Sequence, residues 1–131
     1  MIDVGPAVAG RSVSVLIVDD DADNREVLGE VLSDAGYSVV FARDGAEALA
    51  LLRGLRPDVI LLDLNMPIMD GLEFRAAQRR DPALAPIPTV VMTALDHFRE
   101  WMGELAPTEM VAKPLKLAQL LSIVRRYAQA S

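Results

Sequence analysis

The sequence predicts a doubly wound α/β domain, one parallel sheet with helices on both faces. Three observations carry that prediction. Short β-type runs alternate strictly with longer helix-type stretches five times along the 131 residues, the pattern of repeated β/α units. Two of those runs, 13–18 and 58–62, are almost continuously apolar, as in strands buried on both faces. The length suits one domain, and 52% hydrophobic residues are enough to fill a core.

Residues 1–12 hold two Gly and one Pro without periodicity and read as a flexible lead-in, leaving 13–129 for the domain. The first strand, 13–18, stops at three aspartates. A helix follows to about residue 35, with Val27, Leu28, Val31 and Leu32 on one face and Gly36 closing it. The second strand is 37–42. Asp44 and Gly45 then turn the chain into a helix bearing Ala48, Leu49 and Leu52, which Pro57 ends. The third strand, 58–62, precedes a third helix over about 71–80, where Gly71 is expected to supply a special backbone conformation. Pro82, Pro86 and Pro88 stiffen the next loop, and 89–92 is the fourth strand. Phe98, Trp101, Met102 and Leu105 at i, i+3, i+4, i+7 spacing predict a fourth helix, ended by Pro107. A short fifth strand over 109–112 and a last helix over about 116–128 complete the pattern.

Composition narrows the chemistry. Cys is absent, which excludes disulfides, thiolate metal sites and cysteine nucleophiles. The single His, His97, argues against zinc hydrolases and Ser-His-Asp enzymes, and beside Asp96 it reads as a solvated surface residue. A net charge of −6 argues against nucleic acid as a partner; Arg79-Arg80 and Arg125-Arg126 read as solvated helix ends. Apolar runs are too short for a membrane span, and no signal-like leader opens the chain, so a cytoplasmic location without membrane contact is expected.

The informative residues stand at strand ends. Asp19 and Asp20 terminate the first strand, Asp63 the third, Thr93 the fourth and Lys113 the fifth. A parallel sheet gathers its carboxyl ends on one edge, where ligands bind. Any one of these residues alone reads as a turn or cap. Three carboxylates, an ammonium and a hydroxyl on one edge do not. Carboxylates so close repel each other, and a divalent cation relieves that repulsion. With oxygen ligands alone the preference is Mg²⁺, with Mn²⁺ or Ca²⁺ as substitutes. Such a site is equipped to form an acyl phosphate on a spare carboxylate. Asp63 is the best nucleophile, Asp20 is favoured as direct metal ligand, and Asp19 assists through water; the order of that pair stays open.

Four segments in order then carry a resemblance: Val-Asp-Asp at 18–20, the stretch 58–71 from Asp58 through Asp63 to Gly71, Met-Thr-Ala at 92–94, and Lys113-Pro114. Together they resemble response-regulator receiver domains of two-component phosphorelays, chemotaxis regulators among them, over roughly 13–128. The resemblance implies a flavodoxin-like (βα)5 fold with strand order 2-1-3-4-5. It implies Asp63 as phosphoacceptor, Asp19 and Asp20 as acidic pair, and the Asn65 carbonyl as a further Mg²⁺ ligand. Thr93 becomes the switch hydroxyl and Lys113 the phosphate-pairing lysine, with a cis Lys113-Pro114 bond. The donor would be a histidine kinase or phosphotransfer protein, the target a protein the sequence does not name, and the domain a monomer or phosphorylation-dependent dimer. Catalysis would be confined to its own phosphoryl transfer and slow autodephosphorylation, with output through the fourth helix, fifth strand and last helix. Two departures stand out. Met110 takes the place of the usual Tyr or Phe, and Ala106-Pro107 that of a common Gly-Ala pair.

Three rival readings differ from this one at particular residues. An aspartate-nucleophile phosphatase needs an acid/base where Asn65 stands, and a flavin carrier needs a phosphate loop where 19–23 is acidic. A receiver that works by binding alone is kept open by Met110.

Overall fold

The computed structural model describes residues 13–64, 68–94, 103 and 106–129. The lead-in expected over 1–12, Asn65, His97 and the stripe Phe98, Trp101, Met102 and Leu105 lie outside the described residues. Along the chain run β1 (Ser14–Val18), α1 (Ala22–Asp34), β2 (Ser38–Ala42), α2 (Gly45–Leu51), β3 (Val59–Asp63), α3 (Ile68–Arg80), β4 (Thr89–Ala94), β5 (Glu109–Lys113) and α4 (Leu117–Gln129). All neighbouring strands are parallel, in the order β2-β1-β3-β4-β5 that the resemblance implies.

Strand alternation divides the core into two layers. Val15 and Ile17 of β1, Val59 and Leu61 of β3, and Val111 of β5 face one layer with Leu28 and Leu32 of α1 and Leu120, Ile123 and Val124 of α4. Leu16, Val18, Ile60, Leu62 and Val91 face the other, with Ala48 of α2 and Phe74 of α3. Both faces of β1 and β3 are therefore covered, which is why those segments are apolar without alternation.

Local chemistry sets the helix ends. The Asp21 carboxylate accepts from the backbone N–H of Asp23 at 2.9 Å and of Asn24 at 3.4 Å, capping α1. Gly36, at φ 100°, closes it: its N–H reaches the Ser33 carbonyl and that of Tyr37 the Leu32 carbonyl. Asp44 caps α2 by accepting from Glu47 N–H at 2.8 Å, while the Glu47 carboxylate accepts from Arg43 N–H at 2.6 Å.

Three expectations need correction. Val27 is 51% exposed rather than buried, because α1 presents Leu28, Gly29 and Leu32 to the sheet. Gly71 lies inside α3, which starts at Ile68, and adopts no left-handed backbone. The third, fourth and fifth strands run one or two residues further than 62, 92 and 112, because the ladders continue: Asp63 and Lys113 are the last residues of β3 and β5, and Thr93 is the last but one of β4.

Gly29 allows a close approach across the sheet edge. A Cβ there would stand 2.6 Å from Phe41 Cζ, the far end of a ring that is 42% exposed. An exposed ring can tilt, and Ala is favoured over Gly in a helix by ~1 kcal/mol. Gly29→Ala is therefore expected to change urea-measured stability by less than ~1 kcal/mol. A loss above ~2 kcal/mol would show that the ring is held in place.

Candidate functional site

Alternation that builds the inner layer also aims the site. Asp19 lies two residues past Ile17, Asp63 two past Leu61 and Lys113 two past Val111, so all three share the α1/α4 side of the sheet. Thr93 lies two past Val91, on the α2/α3 side, at the same carboxyl edge.

Asp63 is fully buried, and the Lys113 ammonium donates to its Oδ1 from a side chain 19% exposed. Asp19 is buried beside it. Its Oδ1 accepts from Asp21 N–H at 2.9 Å, and its backbone carbonyl accepts from Arg25 Nη1 at 2.6 Å. Its Oδ2 is buried with no hydrogen-bond partner among the described residues. Burial pushes the Asp19 carboxyl up to about 6; the Asp21 N–H opposes this, the neighbouring Asp63 carboxylate adds to it, and the Lys113 charge opposes it. Thr93 is buried, whereas Asp20 is exposed. The Lys113-Pro114 bond is cis.

The structure thus brings Asp19, Asp63 and Lys113 together, with Thr93 at the same edge and Asp20 facing the solvent side. Among the described residues no three His, Cys, Asp or Glu side chains form a ready-made metal group. The residues present nevertheless suit Mg²⁺. A buried carboxylate oxygen without a donor is costly, and here it adjoins a second carboxylate, so that the ligand atoms on offer are oxygens. A hard cation meets both conditions. Beside this pair opens a cleft of about 290 Å³ between Asp19 and Lys113, with Val27, Leu28, Leu115 and Leu117 among its walls.

Sequence reasoning missed that apolar rim, where Val27 and Leu117 are both exposed. It also missed Arg75 and Gln78, which are buried on α3. Their signal was available: they lie one and four residues after Phe74, in phase with the apolar face of that helix.

Fold and site together define a flavodoxin-like α/β domain built around a lysine-paired, buried aspartate. The response regulator receiver domain family matches residues 15–125, and the chain belongs to that family. It is 42% identical over 115 residues to response regulator MprA of Mycobacterium sp. (strain KMS), covering 86% of this chain and 49% of that protein. The chain spans about half the length of the curated relatives it matches. The chemotaxis response regulator CheY4 of Vibrio cholerae superposes with a TM-score of 0.80 at 35% identity, covering 88% of this chain and 98% of that one. The receiver domain of the sensor histidine kinase PA1611 from Pseudomonas aeruginosa PAO1 gives 0.81 at 29% identity, with 90% and 98% covered, and is described with magnesium coordinated in its active site cleft. This chain is accordingly a receiver domain of two-component signalling, a signalling protein rather than a classical enzyme. Among the described residues no helix is long and apolar enough to cross a membrane.

Proposed function

We propose that this chain is a Mg²⁺-dependent phosphoacceptor switch that takes a phosphoryl group on Asp63 from a histidine kinase or phosphotransfer protein, in the cytoplasm. The observation that carries this reading is the Lys113 ammonium on the buried Asp63 carboxylate, next to the orphaned oxygen of Asp19. An Asp63 oxygen attacks the phosphorus of a phosphohistidine, the P–N bond breaks, and the leaving imidazole keeps the electron pair and takes a proton. Lys113 turns from the carboxylate to a phosphoryl oxygen, and the Thr93 hydroxyl donates to another. Asp19, Asp20, Asp63 and the Asn65 carbonyl would hold Mg²⁺, which would supply positive charge against the phosphoryl oxygens. Water later cleaves the aspartyl phosphate slowly.

Output follows from the same hydroxyl. Drawing Thr93 toward the phosphoryl group moves the end of β4, and the segment 95–105, β5 and α4 absorb the shift to control a partner. Met110, half-buried against the α2/α3 layer, fills the vacated space by changing rotamer in place of an aromatic ring.

Intact mass after incubation with acetyl phosphate and Mg²⁺ tests the reading: one added phosphoryl group is expected, and none with a chelator. A folded chain that never gains the group would be a binding-only module. Magnesium titration checks the acidic pair. Asp19→Ala is expected to weaken binding ~10-fold and Asp20→Ala more; the reverse ranking exchanges their roles. Trp101, the single Trp, reports the switch: beryllofluoride with Mg²⁺ should change its emission in wild type and much less in Thr93→Ala. An equal change in Thr93→Ala would remove that hydroxyl from the pathway.

A further inference from the structure

At the edge of the sheet opposite the site lies a polar cluster that phosphoryl chemistry does not use. Arg75 and Gln78 of α3 are 6% and 0% exposed, and Thr89, the first residue of β4, is 0% exposed. Arg75 Nη1 donates to Gln78 Oε1 at 2.8 Å, and the Thr89 hydroxyl lies 3.1 Å from the same oxygen. Gln78 Nε2 donates to the carbonyls of Leu84 at 3.1 Å and Ile87 at 3.2 Å, so the amide is satisfied at both ends. The second arm of the guanidinium, Nη2, donates to the Ala106 carbonyl. Two residues on, Thr108 N–H reaches the Thr89 carbonyl at 2.9 Å, and its Oγ1 accepts from Thr89 N–H at 2.9 Å.

Each of these choices is costly by itself. A charge is expensive to take out of water, and an apolar side chain of similar volume would hold α3 against the sheet more cheaply. Ala106 stands at φ 43°, the left-handed region that side chains avoid, and among the described residues no other non-glycine does so. The two costs meet in one hydrogen bond. Ala106 also has a particular place in the chain: it stands three residues before β5, which carries Met110 and Lys113. Thr93 lies four strand residues from Thr89, roughly 13 Å up the same strand.

We propose that Arg75 is a conformational latch. Its planar fork, held by Gln78, locks Ala106 in the left-handed conformation, fixes how 106–108 lead into β5, and makes α3 move with that junction when the site is occupied. The input to the latch rests on the phosphoacceptor reading; the latch itself does not.

Hydrogen exchange on the full chain tests both parts. Without ligand, Arg75→Met should speed exchange at 108–113 at least tenfold while β1 and β3 stay as in wild type. Arg75→Lys should do the same, because a single ammonium cannot span Gln78 and Ala106 in the way a fork does. Uniform acceleration over the whole chain, or none at 108–113, would overturn the latch and leave Arg75 as a packing residue. With Mg²⁺ and beryllofluoride, protection at 62–64 reports occupancy of the site. Wild type should then change at 106–113 and at 75–81 together, and Arg75→Met at 106–113 alone. A response in 75–81 that persists in Arg75→Met would overturn the coupling. Lack of protection at 62–64 would count against the acceptor reading, and the ligand-free comparison would still decide the latch.

Discussion

Asp63→Asn is expected to leave the chain folded and to lower phosphoryl incorporation by on the order of 10³-fold or more. The amide keeps the shape of the carboxylate and discards its nucleophilic oxygen, so intact mass with acetyl phosphate and Mg²⁺ should show the unmodified chain. Stability is pulled two ways. Removing the partner of Lys113 leaves a partly buried ammonium beside a neutral amide, a loss of up to ~3 kcal/mol in a dry site. Removing the charge next to Asp19 relieves the repulsion that helps raise its pKa. The net change in urea-measured stability should therefore stay within ~2 kcal/mol. Labelling equal to wild type would move the chemistry to another carboxylate, with Asp19 and Asp20 the nearest in sequence to the same edge.

Asp19→Asn should separate stability from metal binding with opposite signs. In metal-free protein the Asp19 carboxyl is pushed from 3.8 up to about 6, first by burial. At pH below 3.8 the folded and unfolded chains both hold this proton, and the group contributes no difference. As pH rises from 3.8 to about 6 the unfolded chain loses the proton while the folded chain keeps it, so stability falls; above about 6 the whole penalty is present. A shift of this size corresponds to about 3 kcal/mol at most, since the cleft admits some solvent. Asn carries no such penalty and can still accept the Asp21 N–H. The variant should be more stable than wild type by on the order of 1–3 kcal/mol at pH 7 in chelator, and equal to it near pH 3.5. Its Mg²⁺ affinity should fall at least ~10-fold. A variant less stable than wild type at pH 7 would mean that the Asp21 N–H and Lys113 favour the charged Asp19 carboxylate by more than burial disfavours it.

Most of the fold is legible in local pattern. The apolar runs of β1 and β3, the Asp21 and Asp44 caps and the Gly36 stop all lie where residue chemistry requires them. Helix ends and strand ends shift by a few residues because ladders and caps run on past the apolar pattern, as at Asp63, Thr93 and Lys113. The convergence of Asp19, Asp63 and Lys113 is legible too, once period 2 is counted from Ile17, Leu61 and Val111.

By itself the sequence determined the strand-by-strand architecture, the acidic, lysine and hydroxyl groups of one edge, and their phase along each strand, because periodicity and capping act within a few residues. Only the tertiary structure decided which groups are dry. Asp19 and Asp20 are neighbours of one residue type; the end of β1 and the start of α1 turn the first inward against Asp63 and leave the second in solvent. Val27 and Leu28 are equally apolar, and the rotation of α1 against the layer it shares with α4 buries only Leu28. Arg75 is in phase with the buried face of α3, but its guanidinium finds its partners only when α3, β4 and the Ala106 turn close around it. Burial is a property of what packs on a residue from far along the chain, and local pattern does not carry it.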